Sequence, residues 1–141
     1  MKRVKKLAVL FLTLLFCCCA FLTGCGNKEL EVGDVFKFQS LTYTSYGTDN
    51  TVSVGQKYNG VELTEESFVV FIVDEDRAVL RVQEDEEDFS ADLYSYTLGY
   101  NENEYYIWSG FSELVGVATY DGDSLSLSII DSSMSIYFVK E

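Results

Sequence analysis

The chain has 141 residues, about the length of one domain, and contains neither histidine nor proline. Without histidine there is no Ser-His-Asp triad, no Cys-His pair and no imidazole metal ligand, so most hydrolase and zinc-enzyme mechanisms lack a required group. The formal net charge is −13, from 23 acidic and 10 basic residues. We therefore expect no nucleic acid partner, because nucleic acid binding depends on cationic side chains.

The first 24 residues have the pattern of a secretory signal peptide. Residues 1–6 carry four positive charges, and residues 7–22 form an almost uninterrupted apolar run of 16 residues. A membrane-spanning helix is the alternative, but such a helix needs about 20 apolar residues. Because the run stops at Thr23-Gly24, before a polar stretch, the signal peptide is the favoured interpretation.

The signal peptide ends in Leu22-Thr23-Gly24-Cys25, which resembles the lipobox of bacterial lipoproteins. The resemblance implies that Cys25 receives a diacylglyceryl group on its sulfur and that residues 1–24 are removed. Acylation would anchor the protein to the cell membrane on its extracytoplasmic face, since two acyl chains hold a protein stably where one is marginal. Residues 25–34 would then be the acylated cysteine and a short tether.

The mature chain would be strongly acidic and free of disulfides. Removal of residues 1–24 takes away four basic and no acidic residues, so the net charge becomes −17, and Cys17, Cys18 and Cys19 are lost with the signal. Leu, Ile, Val and Phe still make up 34 of the 117 remaining residues. That share exceeds the roughly 20% typical of disordered chains, so a folded domain is expected.

From Val35 onward, short runs of β-forming residues alternate with polar turns. Residues 84–93 and 111–118 are ambiguous, because their apolar residues also have helical spacing. A change of apolar parity after Phe38 predicts a bulge near Ser40, and Asp121-Gly122 predicts a type I′ hairpin turn. Eight or nine strands are predicted: Val35–Tyr43, Thr51–Gly55, Ser67–Val73, Arg77–Val82, Phe89–Gly99, Glu104–Trp108, Leu114–Tyr120, Ser124–Ile130 and Met134–Lys140.

Consecutive strands joined by tight turns predict an all-β fold, an antiparallel up-and-down β-barrel of 8–9 strands over residues 35–141. Closure of the barrel removes exposed strand edges, and a two-sheet β-sandwich is the alternative. The lipobox, the acidic tether, the opening residues 33–38 and the closing residues 121–127 and 134–138 resemble small lipocalin-like lipoproteins of Gram-positive bacteria. The resemblance implies a lipocalin-like barrel, although the Gly-x-Trp of the first lipocalin strand is absent.

Aromatic residues on two neighbouring predicted strands are the candidate ligand-binding site. If their rings share one face, Tyr94, Tyr96, Tyr105 and Trp108 would form a platform for a sugar or an apolar ligand. Tyr100 and Tyr106 belong to the same cluster. The alternative is that these rings only stabilise the antiparallel strand pair.

The acidic block Glu84–Asp88, with Asp74 and Asp76, offers oxygen ligands suited to Ca²⁺. The alternative is a solvated loop of mutually repelling charges, which is the commoner case. We therefore expect no metal site and no cofactor. No pair of carboxylates and no activated serine is recognisable, so no catalytic residue is assigned and we do not expect an enzyme.

The sequence as a whole predicts a monomeric, membrane-anchored, non-catalytic binding protein. In one version the lumen holds a small apolar ligand. In the other, the interior is filled, and the acidic surface or an aromatic loop docks a basic protein of the cell envelope. The predicted lumen lining of the first version is Phe71, Leu80, Leu93, Leu127 and Phe138.

Overall fold

The computed structural model describes residues 29–141, and every regular element in that range is a β-strand. The predicted signal peptide and the predicted acylation of Cys25 lie outside the described residues. The strands are β1 (Val35–Ser45), β2 (Thr48–Ser53), β3 (Lys57–Tyr58), β4 (Val61–Glu62), β5 (Phe68–Asp74), β6 (Arg77–Gln83), β7 (Phe89–Leu98), β8 (Glu104–Trp108), β9 (Leu114–Tyr120), β10 (Ser124–Ile129) and β11 (Met134–Lys140).

Eight of these strands form a closed antiparallel barrel. From β5 to β11 each strand pairs with the next in the chain, β5 pairs with the beginning of β1, and β11 pairs with β1 to close the barrel. β2 is an additional strand that pairs with the second half of β1, and β3 and β4 form a separate small hairpin. The predicted up-and-down barrel is confirmed, and the sandwich alternative is wrong.

Both stretches with ambiguous helical spacing are loops that lead into strands. Residues 84–88 connect β6 to β7, and residues 109–113 connect β8 to β9. The β-branched residues and the glycine of β9 favour an extended chain over a helix.

The predicted bulge lies in β1. Phe38 pairs with Phe138 and Ser40 pairs with Tyr137, so Gln39 is the extra residue. Because one residue is added, Phe38 and Leu41 both face the barrel interior, and both are buried.

The turns follow backbone geometry that the sequence predicts only in part. Both residues of Tyr46-Gly47 and of Asn59-Gly60 have positive φ, as two-residue type I′ turns require. The type I′ prediction for Asp121-Gly122 is wrong, since only Gly122 has a positive φ there. Instead, the Asp121 carboxylate accepts the backbone N–H groups of Asp123 and Ser124, which closes an Asx-type turn.

The two ends of the barrel are packed differently. We call the end where β1 begins and β11 ends the N-terminal end. Three phenylalanines, Phe36, Phe38 and Phe138, have no solvent exposure and fill this half of the interior. Phe36 also meets the ring of Tyr120 edge to face, with 5.5 Å between the ring centroids. These rings fill the interior next to β1 and β11, while a small pocket lined by Leu30, Tyr96 and Tyr105 remains beside β7 and β8 at the same end.

Candidate functional site

An apolar cavity of about 190 Å³ lies inside the barrel. Its wall is formed by five neighbouring strands, β6 to β10, together with one residue of β5. The lining residues are Val70, Ala78, Leu80, Tyr94, Ile107, Val115, Gly116, Ala118, Leu125, Leu127 and Ile129.

Small residues on inward-facing positions create the space. Gly116 and Ala118 are two residues apart on β9, so they face the same side of the sheet. Ala78 on β6 also lines the cavity. The two alanines leave room that a larger aliphatic side chain would fill, because barrel interiors of eight strands are normally just filled by side chains. At Gly116 the adjoining strand β10 approaches closely, since a Cβ there would lie 3.0 Å from Leu127 Cδ1 and from the Ser128 carbonyl oxygen.

Tyr94 is the only residue with a polar side chain among the described residues that line the cavity. Burial raises the pKa of the Tyr94 hydroxyl, and the nearby negative charge of Asp92 raises it further. The hydroxyl is therefore neutral at physiological pH and can donate or accept one hydrogen bond. It has no hydrogen-bond partner among residues 29–141, so it is free to orient a ligand.

The cavity opens at the end of the barrel opposite to the N-terminal end. Ala78, Ala118 and Leu125 are buried and form its inner wall. Ile107 and Ile129 lie near the strand ends where β8 and β10 finish, and both are partly exposed. We call this opening the mouth.

The charges around the mouth are negative. Three short loops connect barrel strands at this end, and they carry the acidic block Glu84–Asp88, Glu113 and Asp131 but no lysine or arginine. The longer connection from β1 to β5, which starts and finishes at the same end, carries one lysine, Lys57, and four acidic residues. Asp92 pairs with the cavity residue Leu80 across β6 and β7, on the inward-facing side of the sheet. The resulting field opposes entry of an anion and favours a neutral or cationic ligand.

The four aromatic residues predicted as a ligand platform do not share one face. Tyr94, Tyr96 and Tyr105 point into the barrel, but only Tyr94 lines the cavity. Tyr96 and Tyr105 are buried at the N-terminal end, where their rings meet edge to face. Trp108 lies on the outer surface and donates a hydrogen bond from its indole N–H to the Thr97 hydroxyl, 3.0 Å away.

The tyrosines of the N-terminal end have structural partners. The Tyr96 hydroxyl donates to the carbonyl of Asp74, and the Tyr105 hydroxyl accepts the backbone N–H of Leu30. Leu30 packs against the core at this end. Of the remaining aromatic candidates, Tyr106 is on the outer surface with Trp108, and Tyr100 is exposed in the turn after β7.

The predicted lining of the lumen is only partly right. Leu80 and Leu127 line the cavity. Phe138 faces inward but belongs to the filled half of the barrel. The prediction is wrong for Phe71 and Leu93. Both pair with Val79 of β6, whose chain neighbours Ala78 and Leu80 line the cavity, so Phe71 and Leu93 lie on the outer face of the barrel.

Sequence reasoning missed Gly116, Ala118 and Ala78, whose small side chains line the cavity. One sequence signal could have identified two of them, because Gly116 and Ala118 lie on the predicted strand that precedes the alternating Leu125, Leu127 and Ile129. Such a pattern indicates an inner face with unfilled volume.

The acidic residues do not assemble into a metal site in the described part of the chain. Between residues 29 and 141, no three Asp or Glu side chains converge closely enough to hold a metal ion. The block Glu84–Asp88 is exposed, in agreement with a solvated loop.

Comparisons with known proteins add no relative: no family model, no curated protein and no solved structure matches the chain significantly. Within residues 29–141, no helix is long and apolar enough to cross a membrane.

Proposed function

We propose that this protein is a non-catalytic, lipocalin-like carrier that holds a small apolar ligand in its barrel. The observation that supports the proposal is the cavity, which is enclosed by aliphatic side chains and contains one hydroxyl, that of Tyr94. Apolar walls with few polar groups are characteristic of small-molecule sites.

The cavity size limits the ligand class. Typical ligand pockets measure roughly 300 to 1,000 Å³, so the volume of about 190 Å³ is small for a drug-sized compound. An engineered apolar cavity of about 150 Å³ accepts benzene. The ligand therefore has one ring or a short branched alkyl group, and any charge that it carries is positive because of the acidic mouth.

We further propose that the lipid on Cys25 holds the barrel at the extracytoplasmic face of the cell membrane. Four residues separate Cys25 from Leu30, whose backbone N–H donates a hydrogen bond to the Tyr105 hydroxyl. A fully extended segment spans at most about 3.5 Å per residue, so the N-terminal end would lie within about 20 Å of the anchor. The mouth is at the opposite end, so the ligand would enter from the aqueous side.

Ligand binding is tested by filling the cavity. Toluene is the probe, and its binding is measured as an increase in Tm and by calorimetry on residues 27–141, because a ligand that binds only the folded state stabilises it. We expect toluene to stabilise the unmodified domain and to lose this effect in Ala118→Leu. Ala91→Leu is the control, since Ala91 lies opposite Arg81 on the outer face and is exposed.

Two results would overturn the proposal. One is an unmodified domain whose Tm does not respond to saturating toluene. The other is an Ala118→Leu protein that folds and still binds toluene as strongly as the Ala91→Leu control. If Ala118→Leu fails to fold, Ala78→Val fills the same cavity with a smaller addition and must weaken binding.

The charge at the mouth is tested with two ligands that share one ring. Benzylamine is cationic at neutral pH and benzoate is anionic. We expect benzylamine to bind more tightly than benzoate at low salt, with a difference that shrinks as salt screens the acidic loops. Equal affinities at low salt would show that the mouth does not select charge.

The anchor is tested separately on the full chain. We expect Cys25→Ala to lose incorporation of labelled fatty acid and to leave the membrane fraction. Unchanged labelling and membrane retention would contradict the proposed acylation without affecting the cavity proposal.

A further inference from the structure

The outer surface of the barrel carries an apolar patch on β1, β5, β6 and β7. Strand pairing places four side chains in one row across these strands, because Val35 pairs with Phe71, Phe71 with Val79, and Val79 with Leu93. Two exposed neighbours, Val73 and Phe89, extend the row. We call these six residues the outer patch: Val35, Phe71, Val73, Val79, Phe89 and Leu93.

The barrel itself does not require apolar residues on its outside. On the strands β10 and β11 the outward positions are mostly serine, as in Ser126, Ser128 and Ser135, which are exposed. Leu93 is 52% exposed and Phe89 is 48% exposed on the opposite side. Contiguous exposed apolar side chains of this kind mark interaction sites in soluble proteins.

Arg81 fixes the aromatic part of the outer patch. Its guanidinium lies 5.4 Å from the ring centroid of Phe71 and 4.8 Å from that of Phe89. Glu66 forms an ion pair with Arg81 and with Lys37 and so compensates the cation. The two rings are therefore held in place before any partner binds, which reduces the ordering cost of association.

Acidic turns lie at both ends of the outer patch. β6 begins after the turn Asp74–Asp76 and ends before the acidic block Glu84–Asp88, and the side chains of both segments are exposed. Six residue steps separate Arg77 from Gln83, so at about 3.3 Å per step the two acidic segments are about 20 Å apart. The outer patch thus lies between two negative ends, and the two arginines on the same side of β6, Arg77 and Arg81, are paired with Asp76 and Glu66.

We propose that the outer patch docks a cationic amphipathic helix of a partner protein. A helix rises about 1.5 Å per residue, so about 14 residues span the 20 Å between the acidic segments. Such a helix would run along β6 and cross the row at Val79. Apolar residues at intervals of three and four would contact Val79 and its neighbours in the outer patch, and lysines or arginines at both helix ends would face the acidic segments. The end nearer Glu84–Asp88 would be the more basic, because Arg77 offsets part of the charge of the other turn.

Charge complementarity decides against a second copy of this chain as the occupant. Two copies paired through the outer patch would bring acidic segments together, and the described residues carry 5 basic against 23 acidic side chains. The same sign argument decides against an anionic membrane surface. The proposal does not depend on the cavity, which lies inside the barrel and shares only β5, β6 and β7 with the outer patch.

The test uses a defined helical peptide on residues 27–141. The probe is a labelled 16-residue peptide with leucines at intervals of three and four in the middle and two lysines at each end, and binding is measured by fluorescence anisotropy. Leu93→Gln removes an apolar contact from the outer patch. Leu98→Gln is the matched control, since Leu98 is on the same strand, is 72% exposed and lies outside the outer patch.

We expect Leu93→Gln to weaken peptide binding about tenfold, as the loss of a large apolar interface contact does, and Leu98→Gln to leave it unchanged. The charge contribution is tested with Glu86→Gln/Glu87→Gln, which we expect to weaken binding at low salt and to flatten its salt dependence. Glu62→Gln/Glu102→Gln changes the net charge equally at exposed positions elsewhere and is expected to have a much smaller effect.

Three outcomes would overturn the proposal. Equal losses in Leu93→Gln and Leu98→Gln would show that the outer patch is not the site. Equal binding of a peptide with the same composition in scrambled order would show that charge alone attracts the peptide. A concentration-dependent dimer in sedimentation experiments that Leu93→Gln abolishes would assign the outer patch to a second copy.

Discussion

The ion pair between Asp34 and Lys140 closes the barrel at its N-terminal end, and we expect Asp34→Asn to destabilise the domain by about 2 kcal/mol. The Asp34 side chain is only 9% exposed and accepts hydrogen bonds from Lys140 Nζ at 3.0 Å and from the Glu31 N–H at 2.9 Å. Asparagine still accepts from the Glu31 N–H but leaves the Lys140 ammonium without its counterion. Hydrogen bonds to charged groups contribute about 1.5 to 3 kcal/mol, and the 32% exposure of Lys140 places the value below the upper limit.

The assay is thermal unfolding of residues 27–141 at neutral pH. For a domain of this size, 1 kcal/mol corresponds to about 4 °C, so Asp34→Asn should lower Tm by about 8 °C. The control is Asp76→Asn, because the Asp76–Arg77 pair is exposed and long at 3.8 Å. Such a pair contributes about 0 to 1 kcal/mol, so its loss should change Tm little.

A double-mutant cycle with Lys140→Met separates the ion pair from other effects. The Lys140 Nζ also donates to the Tyr120 hydroxyl at 3.3 Å, so the single Lys140 variant loses two contacts. We expect the losses of Asp34→Asn and Lys140→Met to be less than additive in the double variant. Strict additivity, or an Asp34→Asn effect no larger than that of Asp76→Asn, would refute the reasoning.

Two further predictions concern stability. The hydrogen bond and charge of Lys37, together with Arg81, hold the pKa of the Glu66 carboxyl below its ordinary value of 4.5. Ionised Glu66 therefore stabilises the fold above that pH, and its advantage over Glu66→Gln in urea unfolding should disappear as the pH falls through the lowered pKa. An advantage that persists at pH 2 would contradict this. Gly116→Ala should lower the free energy of unfolding by about 1 to 3 kcal/mol, since a Cβ there lies 3.0 Å from the Ser128 carbonyl oxygen and from Leu127 Cδ1. Gly110→Ala is its control in urea unfolding, because a Cβ at Gly110 meets no atom within 4 Å, and equal effects at both positions would refute the packing argument.

The sequence predicts the barrel strands well because their apolar alternation is regular and their turns are polar. The alternation of serine with Leu125 and Leu127 in β10, for example, corresponds directly to its outward and inward positions. The sequence predicts only a loop where the structure has the hairpin of β3 and β4. Two-residue strands contain too few positions for a periodicity, and three of the four residues of this hairpin are exposed.

The candidate site was harder to predict, because apolar character alone does not say which face of a strand is inside. Phe71 looks like a lumen residue in the sequence because β5 has apolar residues on both faces. Leu93 does so because the apolar residues in the first half of β7, Phe89, Ala91 and Leu93, all lie on its outer face. The outer patch is therefore the reason why the predicted lining was partly wrong. The predicted tyrosine platform does not form for a related reason. Neighbouring residues of β8 such as Tyr105 and Tyr106 face opposite sides of the barrel.

The two departures from a regular barrel meet on β5, β6 and β7, where residues of the cavity wall alternate with residues of the outer patch. Inside, Ala78 and Ala118 leave volume where larger aliphatic residues would increase burial, and outside, Phe71 and Leu93 expose apolar surface where polar residues would increase solubility. Stability and solubility favour the opposite choice at each position, and sites that break such local rules are where function is expected. A ligand in the cavity would contact Leu80 and a helix on the outer patch would contact Val79, its neighbour on β6. Because β6 packs on both faces, we expect a ligand in the cavity to alter the affinity of the outer patch for a helix only if β6 shifts. Unchanged peptide affinity in the presence of toluene would show that the two faces act independently.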